Sequence, residues 1–458
     1  MIQLTREKIH IYKQGKHEFY KNFIHLVWII FFVPLNLQAA TLVVPNANAK
    51  TIQQAINQAR AGDKLIIKPG HYQEHLVINK AIHLSSKQTS SVTIDGAHKG
   101  RVIEVKSANV IVEGLNIINS GEEIDNTDTC IYIHQNATNV EILENNLSHC
   151  TFGIWVHGTI NATIKGNQIS GIKQQYFSDM GNGINIWSAK NILVQDNQIF
   201  NVRDGIYLTV TTQSSVKDNS MHNVRFGIHY MYNDDNTIEG NKICDSMVGL
   251  AMMYSKRLQI KNNQALNNKN HGILFRSIYD STIENNIASN NNKGFFLNDS
   301  SFNQFQANLL QHNKTGVHVT AGSEDNIVFA NDFVNNPIQI NYTQQKNQFW
   351  DNKQRGNYWS DYLGWDFNQD STGDKVYYAS NRVDQLVFQY PQVKLLAQSP
   401  VVILLQNIES KFPILRPPTV VDRFPSMHRH IGKKKLQSAH NSPQICHQDI
   451  SKTNKAKI

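Results

Sequence analysis

Gly205-Ile206-Tyr207-Leu208 decides the fold, because it returns. Glycine stands at Gly183, Gly205, Gly227, Gly249, Gly272, Gly294 and Gly316, at intervals of 22, 22, 22, 23, 22 and 22 residues. Apolar residues alternate behind each glycine, as again in Gly316-Val317-His318-Val319. Asparagine keeps the same interval at Asn197, Asn219, Asn241, Asn263, Asn285 and Asn308. A fixed period of this length is one structural unit repeated and stacked. Alternation with period two reads as strand. An α-solenoid needs longer helical patterns, and a leucine-rich repeat needs its leucine scaffold. The pattern therefore predicts an all-β chain, a right-handed parallel β-helix over residues 41–345, with stacked asparagines forming ladders at equivalent turns.

Outward from the repeat, Thr51 reads as a helix N-cap, followed by Ile52, Ala55, Ile56 and Ala59 at helical spacing. This short amphipathic helix is expected to cap the open end of the stack, whose bare strand edges invite aggregation. Before it, Lys and Arg residues precede an apolar run from Phe23 to Leu35, and Ala39-Ala40 supplies small residues for cleavage. Residues 1–40 are thus read as a signal peptide, and the mature chain as periplasmic. One coil is long: Gly153 and Gly183 are 30 residues apart. The surplus near Gln174–Gly181 is expected to form a loop on one side. Past the repeat, residues 346–392 are aromatic and acidic and read as a C-terminal cap. Residues 393–430 hold an amphipathic stretch, Val393–Ile408, and a Pro-rich piece, Phe412 to Pro418. Residues 431–458 are basic and polar, and are read as a disordered tail.

The net charge is +8 with a pI of 9.1. Much of it sits at the ends, at Lys13, Lys16 and Lys21 and at Lys433, Lys434 and Lys435. No basic stripe interleaved with aromatics crosses the repeats, so no nucleic-acid partner is expected. Four cysteines are too few for a disulfide scaffold. Cys130 and Cys150 fall one coil apart and offset along the strand, a long reach for a bond. Free thiols are expected.

The period also serves as a ruler. The residue after each glycine points inward and the next outward. One outward column reads Trp155, Asn185, Tyr207, His229, Ala251, Leu274, Phe296, His318. The next reads His157, Trp187, Thr209, Met231, Met253, Arg276, Asn298, Thr320. Thioether and imidazole together suit Cu(I), so His229, Met231 and Met253 are the first candidate copper ligands. An earlier column places Phe200, His222 and Cys244 outward on successive coils, making His222 and Cys244 a second soft pair. A Met–aromatic stripe also fits a docking surface, for which Trp155, His157, Trp187 and Tyr207 are the candidates. His157 and His318 otherwise read as ordinary surface histidines. In Asp366-Phe367-Asn368-Gln369-Asp370-Ser371-Thr372-Gly373-Asp374, oxygen ligands at every second position resemble the start of a calcium loop. Asp366, Asn368, Asp370 and Asp374 would be the ligands, but Ser371 stands where glycine is usual and no closing Glu follows. A polar turn explains the stretch as well.

β-Helices often cleave or epimerise polysaccharides, and an aromatic stripe could stack on sugars. That chemistry needs clustered carboxylates or a base near the substrate. The outward columns carry almost no Asp or Glu, so a secreted carbohydrate-binding or polysaccharide-modifying protein is the second reading.

Beyond the repeat the motifs become specific. Gly356-Asn357-Tyr358-Trp359-Ser360-Asp361-Tyr362 with Gly364-Trp365-Asp366, and Phe412-Pro413-Ile414-Leu415-Arg416-Pro417-Pro418, resemble the NosD family. So do Val421-Asp422, Pro425-Ser426-Met427, Arg225-Phe226-Gly227-Ile228-His229-Tyr230-Met231-Tyr232 and Met252-Met253-Tyr254-Ser255. The resemblance runs from about residue 41 to 427. It implies a non-catalytic periplasmic accessory role in maturation of nitrous oxide reductase. It also implies partners: the ATPase and membrane subunit of an ABC transporter, a copper-chaperone lipoprotein and the reductase, whose copper–sulfur centre they help assemble. Under it, the soft face is expected to receive Cu(I) or to dock partners. Phe412, Arg416, Pro417 and Pro418 become candidate contacts to the membrane subunit. The family commonly carries glycine where Ser371 stands, which weakens calcium, and the tail from Lys433 falls outside its pattern.

Overall fold

In the computed structural model, each repeat closes into one turn of a right-handed parallel β-helix. The structure describes residues 39–431, apart from 173–175, 321, 381–389, 391, 393–398, 403, 405–407 and 409–416. The expected signal peptide, the tail and Cys446 lie outside the described residues, as do Phe412 and Arg416.

One coil shows the plan. Leu193–Gln195, Gln198–Phe200 and Asp204–Thr209 are three strands joined by tight corners. Each pairs in parallel with its equivalent one coil on, building sheets of 13, 13 and 12 strands. The glycine strands form the 12-stranded sheet, here called the glycine sheet. Its register is the one the period implies: Tyr207 pairs His229, and Thr209 pairs Met231. The first sheet begins at Thr41–Val44 and the second ends with Tyr358–Trp359, which pairs Asp332–Val334. The stacking therefore draws its last strand from beyond residue 345.

The interior is filled by aliphatic residues of all three sheets, Val194 from the first, Ile199 from the second, and Ile206, Leu208 and Ile228 from the glycine sheet among them, all fully buried. Thr51 caps the helix Ile52–Gln58, accepting from the Gln54 N–H, and Glu74 takes the N–H groups of Ile52 and Gln53. At the other end Phe333 stacks on Trp359 with centroids 4.2 Å apart, and Trp359 stacks on Tyr377 at 4.3 Å.

The asparagine ladder forms. It runs through Asn197, Asn219, Asn241, Asn263, Asn286 and Asn308, each side-chain oxygen accepting the backbone and side-chain N–H of the asparagine one coil earlier. The expected rung at Asn285 is one residue off. Asn285 takes the left-handed corner, and Asn286 points in. The inserted segment contains a 3-10 turn, Phe177–Asp179, beside an exposed Tyr176.

The cysteines depart from expectation. Cys130 and Cys150 form a disulfide with Cα atoms 5.7 Å apart. A register shift at the left-handed His149 turns the second-sheet strand at the corner. This brings Cys150 across to the glycine-sheet strand of the coil before, so sequence offset does not translate into linear distance. Cys244 is also disulfide-bonded.

Candidate functional site

The outer face of the glycine sheet gathers the soft side chains. Met231 pairs Met253 in register, flanked by Thr209 and Arg276. Strand alternation sets both thioethers on the outside, where they are half-buried. The Tyr207 hydroxyl donates to Met231 Sδ at 3.6 Å.

His229 points outward by register yet is only 7% exposed. The Tyr207 ring lies 4.8 Å from its ring, and Phe226 meets it edge-on at 4.9 Å. Its Nδ1 lies 3.0 Å from Asp204 Oδ2. A carboxylate only accepts, so Nδ1 carries the hydrogen, and in the neutral ring Nε2 is left with a bare lone pair. That Nε2 is buried and has no hydrogen-bond partner. A carboxylate fixing the tautomer of a histidine whose other nitrogen is open is the arrangement found behind metal-bound imidazoles.

Asp204 is 1% exposed. Arg225 forks onto it, Nε to Oδ1 at 2.8 Å and Nη2 to Oδ2 at 2.7 Å. Burial alone would raise its pKa. The hydrogen bonds from His229 and Arg225, with their charge, outweigh burial and hold the carboxyl below the usual range. The residue-after-glycine rule misses Asp204, which stands immediately before Gly205. The signal for it was an acid beside the repeat glycine Gly205, one coil before Arg225.

The docking candidates lie along the same face. Trp187 is exposed and meets His157 edge-on at 4.8 Å, while His157 Nδ1 lies 2.7 Å from the Tyr132 hydroxyl. Trp155 packs edge-on against Phe152 at 4.7 Å. At the corner after the methionines, Tyr232 and Tyr254 stack at 5.1 Å, and Tyr232 is exposed. His318 is not an ordinary surface histidine. Phe296 separates it from His271, and burial depresses both imidazoles to about 4.

Other candidates fare differently. Phe200, His222 and Cys244 do align on successive coils, with His222 stacked on Phe200 at 5.1 Å. Cys244 is buried and its sulfur is committed to a disulfide, so it offers no thiolate. The acidic loop turns its oxygens onto its own backbone: Asp366 takes the N–H of Ser371 and Asp370, Asn368 also takes that of Asp370, Asp370 takes that of Thr372, and Asp374 takes that of Phe367. Among the described residues no group of three or more His, Cys, Asp or Glu is placed to hold a metal ion. A soft site on this face therefore rests on thioethers with one imidazole. Of the C-terminal docking candidates, Pro417 is buried and Pro418 half-buried. In the amphipathic stretch Val401, Val402, Leu404 and Ile408 are helical, with Val401 and Leu404 exposed.

Residues 171–364, which contain Asp204, His229 and both methionines, match the family described as periplasmic copper-binding protein (NosD). The chain is 38% identical over 400 residues to the probable ABC transporter binding protein NosD of Pseudomonas aeruginosa, covering 84% of this chain and 93% of that one. It is 38% identical over 373 residues to the protein of the same description from Stutzerimonas stutzeri, covering 78% and 85%. Among solved structures, the A-module of Azotobacter vinelandii mannuronan C-5 epimerase AlgE6 superposes with a TM-score of 0.54 at 12% identity, covering 67% of this chain and 92% of that one. The AlgE4 A-module gives 0.53 at 14%, covering 64% and 92%. At such identities the likeness shows the β-helix and nothing of its chemistry.

Proposed function

The chain belongs to the NosD family, and on that premise we propose that it is a periplasmic accessory protein which handles Cu(I) on its glycine-sheet face during maturation of nitrous oxide reductase. One observation carries the copper reading: the buried, unpartnered Nε2 of His229, its tautomer set by Asp204, on the strand that presents Met231 beside Met253. Imidazole and thioether are ligands that favour Cu(I), while few hard oxygen donors stand near to favour other ions. Half-buried methionines suit a transient load, since a flexible thioether can leave its metal as a partner's ligand arrives.

In this role the protein works beside the ATPase and membrane subunit of an ABC transporter. It receives copper from a chaperone lipoprotein and serves the copper–sulfur centre of the reductase. Trp155, His157, Trp187 and Tyr207 flank the copper face and would contact the chaperone or the reductase. The exposed Val401 and Leu404 and the Pro-rich segment after them would meet the membrane subunit. The reaction chemistry belongs to the partners, so the protein acts as a scaffold and carrier rather than an enzyme.

Titration with Cu(I) against a chromogenic chelator tests the site. The His229→Ala/Met231→Ala/Met253→Ala variant is expected to lose at least tenfold in affinity, about 1.4 kcal/mol, and unchanged affinity would sink the assignment. Val401→Asp/Leu404→Asp, which charges the exposed apolar side chains and leaves the capping strand Val420–Asp422 in place, is expected to abolish co-purification with the transporter, and intact co-purification would refute the docking role.

A further inference from the structure

At the C-terminal end of the stack lies a cavity of about 330 Å³, lined by Arg355, His428, Arg429 and His430 and by Asp370–Thr372 of the acidic loop. Its position is fixed from behind. The N–H groups of His430 and Ile431 donate to Asp332 at 2.9 and 3.2 Å, which ties this segment to the last strands of the second sheet.

Hydrogen-bond direction gives the cavity its character. Arg355 Nη2 approaches His430 Nδ1 at 3.5 Å. A guanidinium only donates, so Nδ1 accepts and the ring hydrogen sits on Nε2. That Nε2 is buried and has no acceptor. Burial, with the charge of Arg355, holds the imidazole neutral by depressing it to about 4. His430 is thus the reverse of His229: one presents a bare lone pair, the other an unmatched N–H. Arg355 and Arg429 make no ion pair with a carboxylate among the described residues, and Arg429 lies over the Tyr358 ring at 5.6 Å. The acid in the wall is already engaged, Asp370 Oδ1 by the Thr372 N–H at 2.7 Å and Oδ2 by Asn368 Nδ2 at 3.0 Å.

Two guanidinium groups that make no ion pair among the described residues line one cavity together with His430, whose ring N–H is buried and has no acceptor. An unmatched buried donor is costly unless an acceptor fills the space, and guanidinium groups pair best with planar or tetrahedral oxyanions. We propose that this cavity binds a tetrahedral oxyanion, a phosphate or sulfate group, with Arg355 and Arg429 supplying charge and His430 Nε2–H donating to one oxygen. The site is separate from the copper face and does not depend on it.

Calorimetric titration of the full chain with inorganic phosphate, and then sulfate, tests this at low ionic strength. Saturable binding below about 10 mM is expected. Arg355→Gln/Arg429→Gln should weaken it at least tenfold, and Arg429→Lys, which keeps the charge but not the fork, by about threefold. His430→Phe, which removes the N–H together with the Nδ1 acceptor of Arg355, should weaken it without altering the circular dichroism. Flotation with phosphatidylglycerol vesicles separates the sources. Phosphate binding without flotation assigns a free ion, and flotation competed by phosphate assigns a lipid headgroup. Absence of both, or phosphate affinity unchanged in Arg429→Lys and His430→Phe alike, overturns the proposal.

Discussion

Asp204 is the residue on which the copper face turns. It is a buried carboxylate held ionised by two cationic or donating neighbours, and such a group fails badly when one partner is cut away. Asp204→Ala leaves Arg225 without its fork and frees the His229 ring to change tautomer. A loss of about 3 kcal/mol is expected from urea unfolding at pH 7, with weaker Cu(I) binding although no proposed ligand is touched. Asp204→Asn, which keeps an acceptor for His229, should recover part of the copper affinity. Because the folded pKa of Asp204 is lowered, its contribution is present above the ordinary carboxylate value and disappears only as pH falls through the depressed one. Wild type and Asp204→Asn should therefore differ by a constant amount between pH 7 and 5 and converge in stronger acid. At this scale the sequence was partly legible. Period 22 placed Met231 against Met253 because register in a stacked coil is sequence offset. It did not find Asp204, which lies on the far side of the glycine from the columns. It also failed at Cys130 and Cys150, where the chain rounds a corner and a count along one strand loses its meaning.

Each coil is an element of low intrinsic stability, held by what recurs at its corners. The repeat glycines are not there for an unusual backbone conformation. A Cβ on Gly227 would sit 2.7 Å from the carbonyl oxygen of Gly249, one coil on, and 2.5 Å from Ile243 Cγ1 in the adjoining sheet. The clash recurs up the stack, since Gly205 faces Gly227 at 2.6 Å and Gly249 faces Gly272 at 2.4 Å. Close approach of successive coils is thus what makes glycine periodic. Gly227→Ala is expected to destabilise by about 2–3 kcal/mol, as overpacking does, read as a lower midpoint in urea. The buried ladder should be more sensitive. Asn241 donates to Val216, Glu239 and Asn263 and accepts from Asn219. Asn241→Ala leaves several of these groups unmatched in a dry interior and should cost about 4 kcal/mol. A cost below 1 kcal/mol would show that water replaces the rung. The ladder was legible as a period, and its rung at Asn286 was not, because adjacent asparagines compete for the corner and the interior and only the backbone decides between them.

Across the whole molecule the ends matter more than the middle, because a stack of like coils is closed only where it is capped. Asp422 closes the C-terminal end. Its carboxylate accepts from the Asn357 N–H at 2.7 Å and Trp359 Nε1 at 2.8 Å, under the Phe333–Trp359–Tyr377 stack. Burial outweighs these donors and raises it to about 6, and burial raises Asp332 to about 6 as well. A carboxyl raised on folding lends stability that is complete below its unfolded value and is lost as pH rises through about 6. Both acids therefore favour the fold more at pH 5 than at pH 7. His271, His318 and His430 pull the other way. Burial depresses each to about 4, so their contribution is complete above the ordinary imidazole value and declines as pH falls from there toward 4. The bare pH profile of the protein is a difference of these two sets and identifies neither. A paired comparison does. In Asp422→Asn the histidines and Asp332 titrate as before, so the gap between wild type and variant isolates one group. Wild type should gain on the variant by about 2–3 kcal/mol between pH 7 and pH 4, measured by urea unfolding with tryptophan fluorescence as the signal. A gap that stays constant with pH would mean that the Asp422 carboxyl does not titrate in this window and that the cap is held by packing of Phe333, Trp359 and Tyr377 alone.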